Sequence, residues 1–437
     1  MKKSIVSIVR YEKPLESVRK AIDLCGGFSN LSRGAKVFIK PNVVFWTRST
    51  PFPKWGLITT SRVVEDVVML LKELGISDIT IGEGPVLMDP KDTETIPHAF
   101  ESLGYNNLKN RYGLKVINMF ERPFKKIDLG DEIKLAFNRD IIESDYVVTL
   151  PVLKTHAQTV VSLGIKNLKG SINIASRKKC HNADPQKDLN FMIAKLPEKM
   201  PPVFALIDGI YTNERGPSYD GRIHRSNLLI ASNDILSADL VGSSILGHEP
   251  SAVPHLVHAA RNRKRPLDLS DINITGESVE SVRVHHDHEF QYNKDNTLPL
   301  PMEKMGIRGL SYKKYDLTMC TYCSGINGTL ISAIARAWKG KPWDDVEILT
   351  GKDMKPTPGM KKTLLLGKCI YLANKDNPDI KEMIPIKSCP PKPEEIVEAM
   401  NRAGIKIDPS VFENSPGYFM SRYKDRPEFE ESFFKIK

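Results

Sequence analysis

The chain has 437 residues, 41% hydrophobic and 27% charged, with a formal net charge of +10. These values describe an ordinary globular protein with room for two domains, or for one large α/β domain and an appendage. No run approaches the roughly 18 apolar residues that span a bilayer, and six cysteines in so long a chain do not make a secreted disulfide scaffold.

The first residues, MKKSIVSIVRYEKP, start like a secretory signal. Arg10 and Glu12 then cut the apolar run short and no small-residue cleavage site follows, so the segment reads as the first strand of a cytoplasmic protein. Ser4–Val9 and Lys36–Ile39 are expected as strands around a helix at Leu15–Leu24. Thr60 or Ser61 is placed to cap the next helix, where Val63, Val64, Val67, Val68, Leu71 and Leu74 recur at helical spacing before Gly75. Asp78–Ile81 follows as a strand and runs into GEGP at 82–85. Tyr146–Leu150, Val203–Ile207 and Leu228–Ala231 are further strands, and Asp234–Leu246 and Ser251–Arg263 are helices.

This alternation predicts an α/β fold, a mainly parallel sheet flanked by helices. It occupies a first domain, 1–305, and a smaller cysteine-containing α+β unit fills 306–437. In such sheets ligands gather beyond the carboxyl ends of the strands. The polar clusters KPN, GEGP, LPVLKTH and DGIYTNERGP all follow strands.

Between Tyr146 and Ala183 there is no Asp or Glu, yet the segment carries Lys154, Lys166, Lys169, Arg177, Lys178 and Lys179. Lysines at the mouth of a sheet are costly to desolvate unless an anion meets them. A small carboxylate or phosphate is therefore expected as substrate, held by Lys40, Lys154, Lys166 and Lys169 and oriented by Asn42 and Asn167. His156 and His181 are suited to proton transfer, with Lys154 beside them in the catalytic set. Glu83, Asp208 and Glu214 are the acids placed to pair with a cation, touch substrate or act as a base. The bland alternative is a set of solvated lysines and ordinary histidines. Basic residues are not interleaved with an aromatic stacking platform, which argues against nucleic acid, and no membrane partner is expected. HHDH at 285–288 reads as an exposed strand end, and Cys180 beside His181 is not placed to face it.

Cys320 and Cys323 are two residues apart, and Cys369 and Cys389 complete a possible four-sulfur set. Four thiolates fit a 4Fe-4S cluster or structural zinc, and unligated thiols are the third reading. Pro390 after the last cysteine leans towards iron–sulfur.

The segments KVFIKPNVV, IGEGP, DYVVTLPVLKTH with GIKNLKG, the later His181, and IDGI with ASNDILSADLVG resemble, in that order, domain of unknown function 362 (DUF362). The resemblance covers roughly residues 35–265 and implies an association with iron–sulfur motifs. A more distant similarity to the nickel-pincer lactate racemase group implies a lysine, Lys166 or Lys169, that holds a pyridinium-derived nickel-pincer nucleotide. In that group His156 and His181 would ligate nickel or move protons. The leading expectation is an iron–sulfur oxidoreductase of anaerobic metabolism that acts on a small anion and has a redox partner protein. The alternatives are a hydroxy-acid racemase or isomerase with a structural sulfur site, and a non-catalytic electron carrier or assembly factor.

Overall fold

The computed structural model describes residues 3–121 and 123–436. In chain order its strands begin with β1 (Ser4–Arg10), β2 (Val37–Lys40), β3 (Ile79–Glu83) and β4 (Lys115–Asn118), then the hairpin β5 (Phe124–Asp128) and β6 (Lys134–Asn138). Next come β7 (Tyr146–Thr149), β8 (Val152–His156), β9 (Val160–Ser162), β10 (Val203–Glu214), β11 (Arg222–Ser232) and β12 (Ile272–Gly276). A second group consists of β13 (Leu310–Tyr312), β14 (Val346–Leu349), β15 (Lys362–Leu365) and β16 (Glu382–Pro385).

The large sheet runs β12-β1-β11-β10-β7-β2-β3-β4, with β8 and β9 continuing beside β10. It is mainly parallel, as the alternation predicts; β11 lies antiparallel to both β1 and β10. Every residue of β2 is buried, which is what a strand covered on both faces requires. The period-2 alternation separates the two faces: Val37 and Ile39 enter one core, whereas Phe38 packs with Met119 and Val147 on the other side.

The helix Ser61–Glu73 buries Val63, Val64, Val67, Val68 and Leu71 on the first face. Helices Ile235–Ile245 and Pro254–Arg263 cover the second. Thr60 is the N-cap of Ser61–Glu73, but no hydroxyl caps it. Asp208 does so from β10, accepting from the Thr60 N–H at 2.7 Å.

Strands β13–β16 form a separate four-stranded parallel sheet. The helix Thr321–Ala337 joins β13 to β14. After the helix Pro393–Ala403 the chain returns to the first core, where Phe429 packs on Trp55 (5.3 Å between centroids) and stacks on Tyr211 (5.8 Å).

Candidate active site

Parallel strands β2, β3 and β7 deliver Lys40, Glu83 and Thr149 to one edge of the sheet. Lys40 Nζ lies 2.6 Å from Glu83 Oε2, with both side chains buried. The same carboxylate accepts from the N–H groups of Val43 (3.2 Å) and Gly84 (2.9 Å), so the KPN and GEGP loops are clipped together. A Cβ on Gly170 would stand 2.5 Å from Lys40 Nζ, so glycine alone lets that turn close over the ion pair.

Lys154 has no acid in contact. Its ammonium donates to Asn42 Oδ1 (2.6 Å) and to the Leu57 carbonyl (2.8 Å). Asn42 donates in turn to Asn167 Oδ1 (3.2 Å), and Asn167 donates to Thr149 Oγ1 (2.9 Å). Burial pushes the pKa of Lys154 down to about 7.

Lys166 and Asn167 sit on a short helical turn, Gly164–Asn167. Its first two N–H groups are received by Asp239 at 2.7 and 2.8 Å. This gives Asp239, the second acid of ASNDILSADLVG, a physical role: it fixes the turn that presents the lysine. Lys166 has no hydrogen-bond or ion-pair partner among the described residues, and burial beside Lys169 and Lys154 holds its pKa well below the usual lysine range.

Lys169 Nζ is 2.6 Å from His181 Nε2, and His181 Nδ1 is 2.9 Å from the Leu317 carbonyl. A carbonyl only accepts, so the network assigns the proton to Nδ1 and leaves Nε2 to accept from the lysine. Burial lowers Lys169 to about 8. His156 Nδ1 accepts from the Gln158 N–H at 3.1 Å. Burial and the surrounding lysines keep both imidazoles neutral, with pKa values well below the ordinary one. The β8–β9 turn that carries His156 places the β-branched Val160 at φ 63°, a strained backbone position beside the site.

These lowered values predict a sign for stability. Between about pH 7 and the unfolded lysine pKa of about 10.4, the unfolded chain binds protons that folded Lys154 and Lys169 do not, so stability rises with pH. Buried thiols such as Cys25, pushed up to about 11, oppose the rise above about pH 8.5. The urea midpoint of the reduced, anion-free protein is therefore expected to climb from pH 7 to 8.5. A flat or falling midpoint would remove the cost assigned to these lysines.

One cavity of about 480 Å³ is lined by Lys40, Asn42, Glu83, Lys154, His156, Lys166, Asn167, Lys169 and His181. Nine of the expected side chains therefore converge. Glu83, taken in the sequence reading as a substrate ligand, is occupied by Lys40. Asp208 and Glu214 do not line the cavity. Asp208 caps the helix behind the sheet, and Glu214 accepts from His224 Nε2 at 3.1 Å. The long β10 carries their side chains away from the edge. His286 of HHDH is buried and bonds Thr212 Oγ1 at 2.7 Å, while His285 is exposed.

Sequence reasoning did not assign Arg177, Arg215 or Asp220 to the cavity they line. Arg177 was visible in the acid-free stretch. Its seat over the Phe120 ring, at 4.7 Å, depends on a contact distant in sequence.

The cysteine helix borders this cavity, since Thr321 and Ser324 line it. Cys320 is the N-cap of Thr321–Ala337. The pairing with Cys323 lowers the pKa of Cys320, and the same pairing raises that of Cys323. Cys323 also lies within electrostatic reach of Cys369 and Cys389, and Lys178 Nζ stands 3.1 Å from Cys389 Sγ. The loop before Cys320 is fastened to the anion pocket. Gln158 Nε2 donates to the carbonyls of Asp316 (2.8 Å) and Met319 (2.9 Å), and His181 reaches Leu317. Among the described residues no three His, Cys, Asp or Glu side chains close around a single ion.

The site is a cationic pocket at the edge of a mainly parallel sheet, with flanking cysteines. Residues 37–244 match the model of a domain of unknown function, DUF362. A thylakoid-associated protein of Synechocystis sp. is 27% identical over 253 residues, 57% of this chain and 74% of the relative. Among solved structures, the lactate racemase apoprotein of Thermoanaerobacterium thermosaccharolyticum superposes with a TM-score of 0.34 at 14% identity, over 58% of each chain. A Thermotoga maritima protein gives a TM-score of 0.31 at 12% identity, over 58% of this chain and 60% of its own. The chain thus spans less than two thirds of either solved structure. No described helix is long and apolar enough to cross a membrane.

Proposed function

We propose that the protein is an enzyme that binds an anionic substrate in the lysine-lined cavity and exchanges electrons with it through a 4Fe-4S cluster held by Cys320, Cys323, Cys369 and Cys389. The observation that carries this reading is Lys166, a cavity-lining amine without a partner among the described residues, beside Lys154 and Lys169 and bordered by the cysteine helix. Like charges gathered in one desolvated hollow are compensated when an anion enters.

Four thiols with a proline after the last of them, Pro390, lean towards a cluster over zinc. Zinc needs four ligands within about 2.3 Å of one ion, whereas a cluster takes one sulfur on each of four irons and accepts a wider spread of thiolates. Lys178 at Cys389 supplies positive charge to a thiolate there. When bound, such a cluster supplies one electron at a time.

The chain's own residues do the rest. Lys154, Lys166 and Lys169 hold the anion, and Asn42 and Asn167 orient it. His156 and His181 are neutral bases whose proton affinity rises as the anion cancels the neighbouring ammonium charges. Anaerobic purification with metal analysis and paramagnetic-resonance spectra tests the reading. Iron and sulfide at about four each per chain support it. Nickel with a modified lysine would favour the redox-neutral racemase alternative, and zinc would favour neither.

A further inference from the structure

We propose that the ligand of this cavity is amphipathic: an anionic head, carboxylate or phosphate, carried on a long apolar chain. This deepens the anion-site reading and rests on it. A volume of about 480 Å³ lies in the range of about 300–1,000 Å³ that holds drug-sized ligands, and a three-carbon hydroxy acid would leave most of it as water against apolar walls.

Lys154, Lys166 and Lys169 gather at the end formed by the sheet edge, while Arg422 lines the cavity beside Tyr418 and Phe419. The remaining wall includes Phe45, Met88, Met302, Met305, Ile331 and Phe419. One side of it is the cavity-lining face of Thr321–Ala337, where Gly325, Gly328, Ile331 and Ala335 stand among the polar Thr321, Ser324, Asn327 and Ser332. At 1.5 Å per residue that lining runs about 21 Å.

Side-chain contacts fix its direction. Cys320, at the start of the helix, is within electrostatic reach of Lys169. Near the far end Arg336 lies 4.9 Å over the ring of Tyr418. Gly328 lets the helix close on Asp220, a carboxylate in the cavity wall whose Oδ2 would be 2.0 Å from an added Cβ.

The mouth is apolar as well. Met88 is 38% exposed, Met305 51% and Tyr418 49%, and all three line this cavity. Large apolar side chains gathered in the open at one mouth mark a surface that meets an apolar partner. Methionine suits a flexible chain because its unbranched thioether re-packs readily.

The test is calorimetric titration with n-alkyl carboxylates and n-alkyl phosphates from four to twelve carbons, below their micellar concentrations, with n-octanol as the uncharged control. Affinity is expected to rise about fourfold per methylene, so about 10²-fold from butanoate to octanoate, and the tighter of the two series identifies the head group. Ile331→Trp and Ala335→Leu should each remove the gain with length while butanoate binding is kept; an unchanged thermal midpoint selects the variant that is read. Butanoate binding with no gain in longer chains overturns the amphipathic ligand and leaves the anion site standing. A gain with length that both variants retain also overturns it. Octanol binding as tightly as octanoate, or no binding by any member, overturns the anion site and this inference together.

Discussion

Replacing Cys323 by serine is expected to remove the cluster from the anaerobically purified protein, taking iron and sulfide from about four each per chain to a small residual fraction. The argument is local. Cys320 is the N-cap and Cys323 lies in the first turn of one helix, and the pairing with Cys323 lowers the pKa of Cys320, which favours its thiolate form. Cys323 is also the sulfur that lies within electrostatic reach of the other three. A hydroxyl in its place is a poor ligand for iron, which a soft thiolate suits. Cys180, buried and with its pKa raised by desolvation, is the control. Cys180→Ala should leave the iron content unchanged, and equal iron in the Cys323→Ser protein and the wild type would refute the assignment.

His181→Ala is expected to lower turnover of an anionic substrate by about 10²–10⁴, the range for a positioned general acid or base. His181 is held at both ring nitrogens, by Leu317 and Lys169, so its proton-accepting atom is fixed in place and the ring is kept neutral. Its loss also frees Lys169. The pH at which the rate falls should therefore move, not only the rate itself. His156→Ala, which removes the second neutral imidazole of the cavity, should have a loss in the same range. Full activity in both variants would exclude histidine proton transfer.

Much of this site could be read from the residues because its chemistry is local in sequence. The acid-free stretch from Tyr146 to Ala183 places Lys154, His156, Lys166, Asn167, Lys169 and His181 within one segment, and strand ends at Lys40 and Glu83 supply the rest. Glu83 could not be recognised as Lys40's partner, because the ion pair depends on β2 and β3 being neighbours. Asp208 and Glu214 were assigned from their place after a strand expected to end at Ile207. The strand instead continues to Glu214. Its second half does not alternate in polarity, because the returning C-terminal segment buries Tyr211 beneath Phe429. Such cover from more than 200 residues away leaves no local signal. The role of Asp239 was likewise hidden: the motif was visible, but its carboxylate acts across the fold on Gly164 and Ile165.

The measurement that bears most directly on the account is calorimetric binding of sulfate, whose charge is constant from pH 6 to 9, to the wild-type protein and to Lys166→Met. The account predicts binding that weakens as pH rises through the values of about 7 and about 8 held by Lys154 and Lys169, by up to about tenfold per pH unit for each lysine that must be protonated. Lys166→Met should abolish the binding. Its anion-free form should be as stable as the wild type or more stable, because a desolvated amine without a partner among the described residues has been replaced by an apolar chain. Sulfate affinity that is independent of pH and unchanged in Lys166→Met would contradict the claim that these ammonium groups converge on an anion.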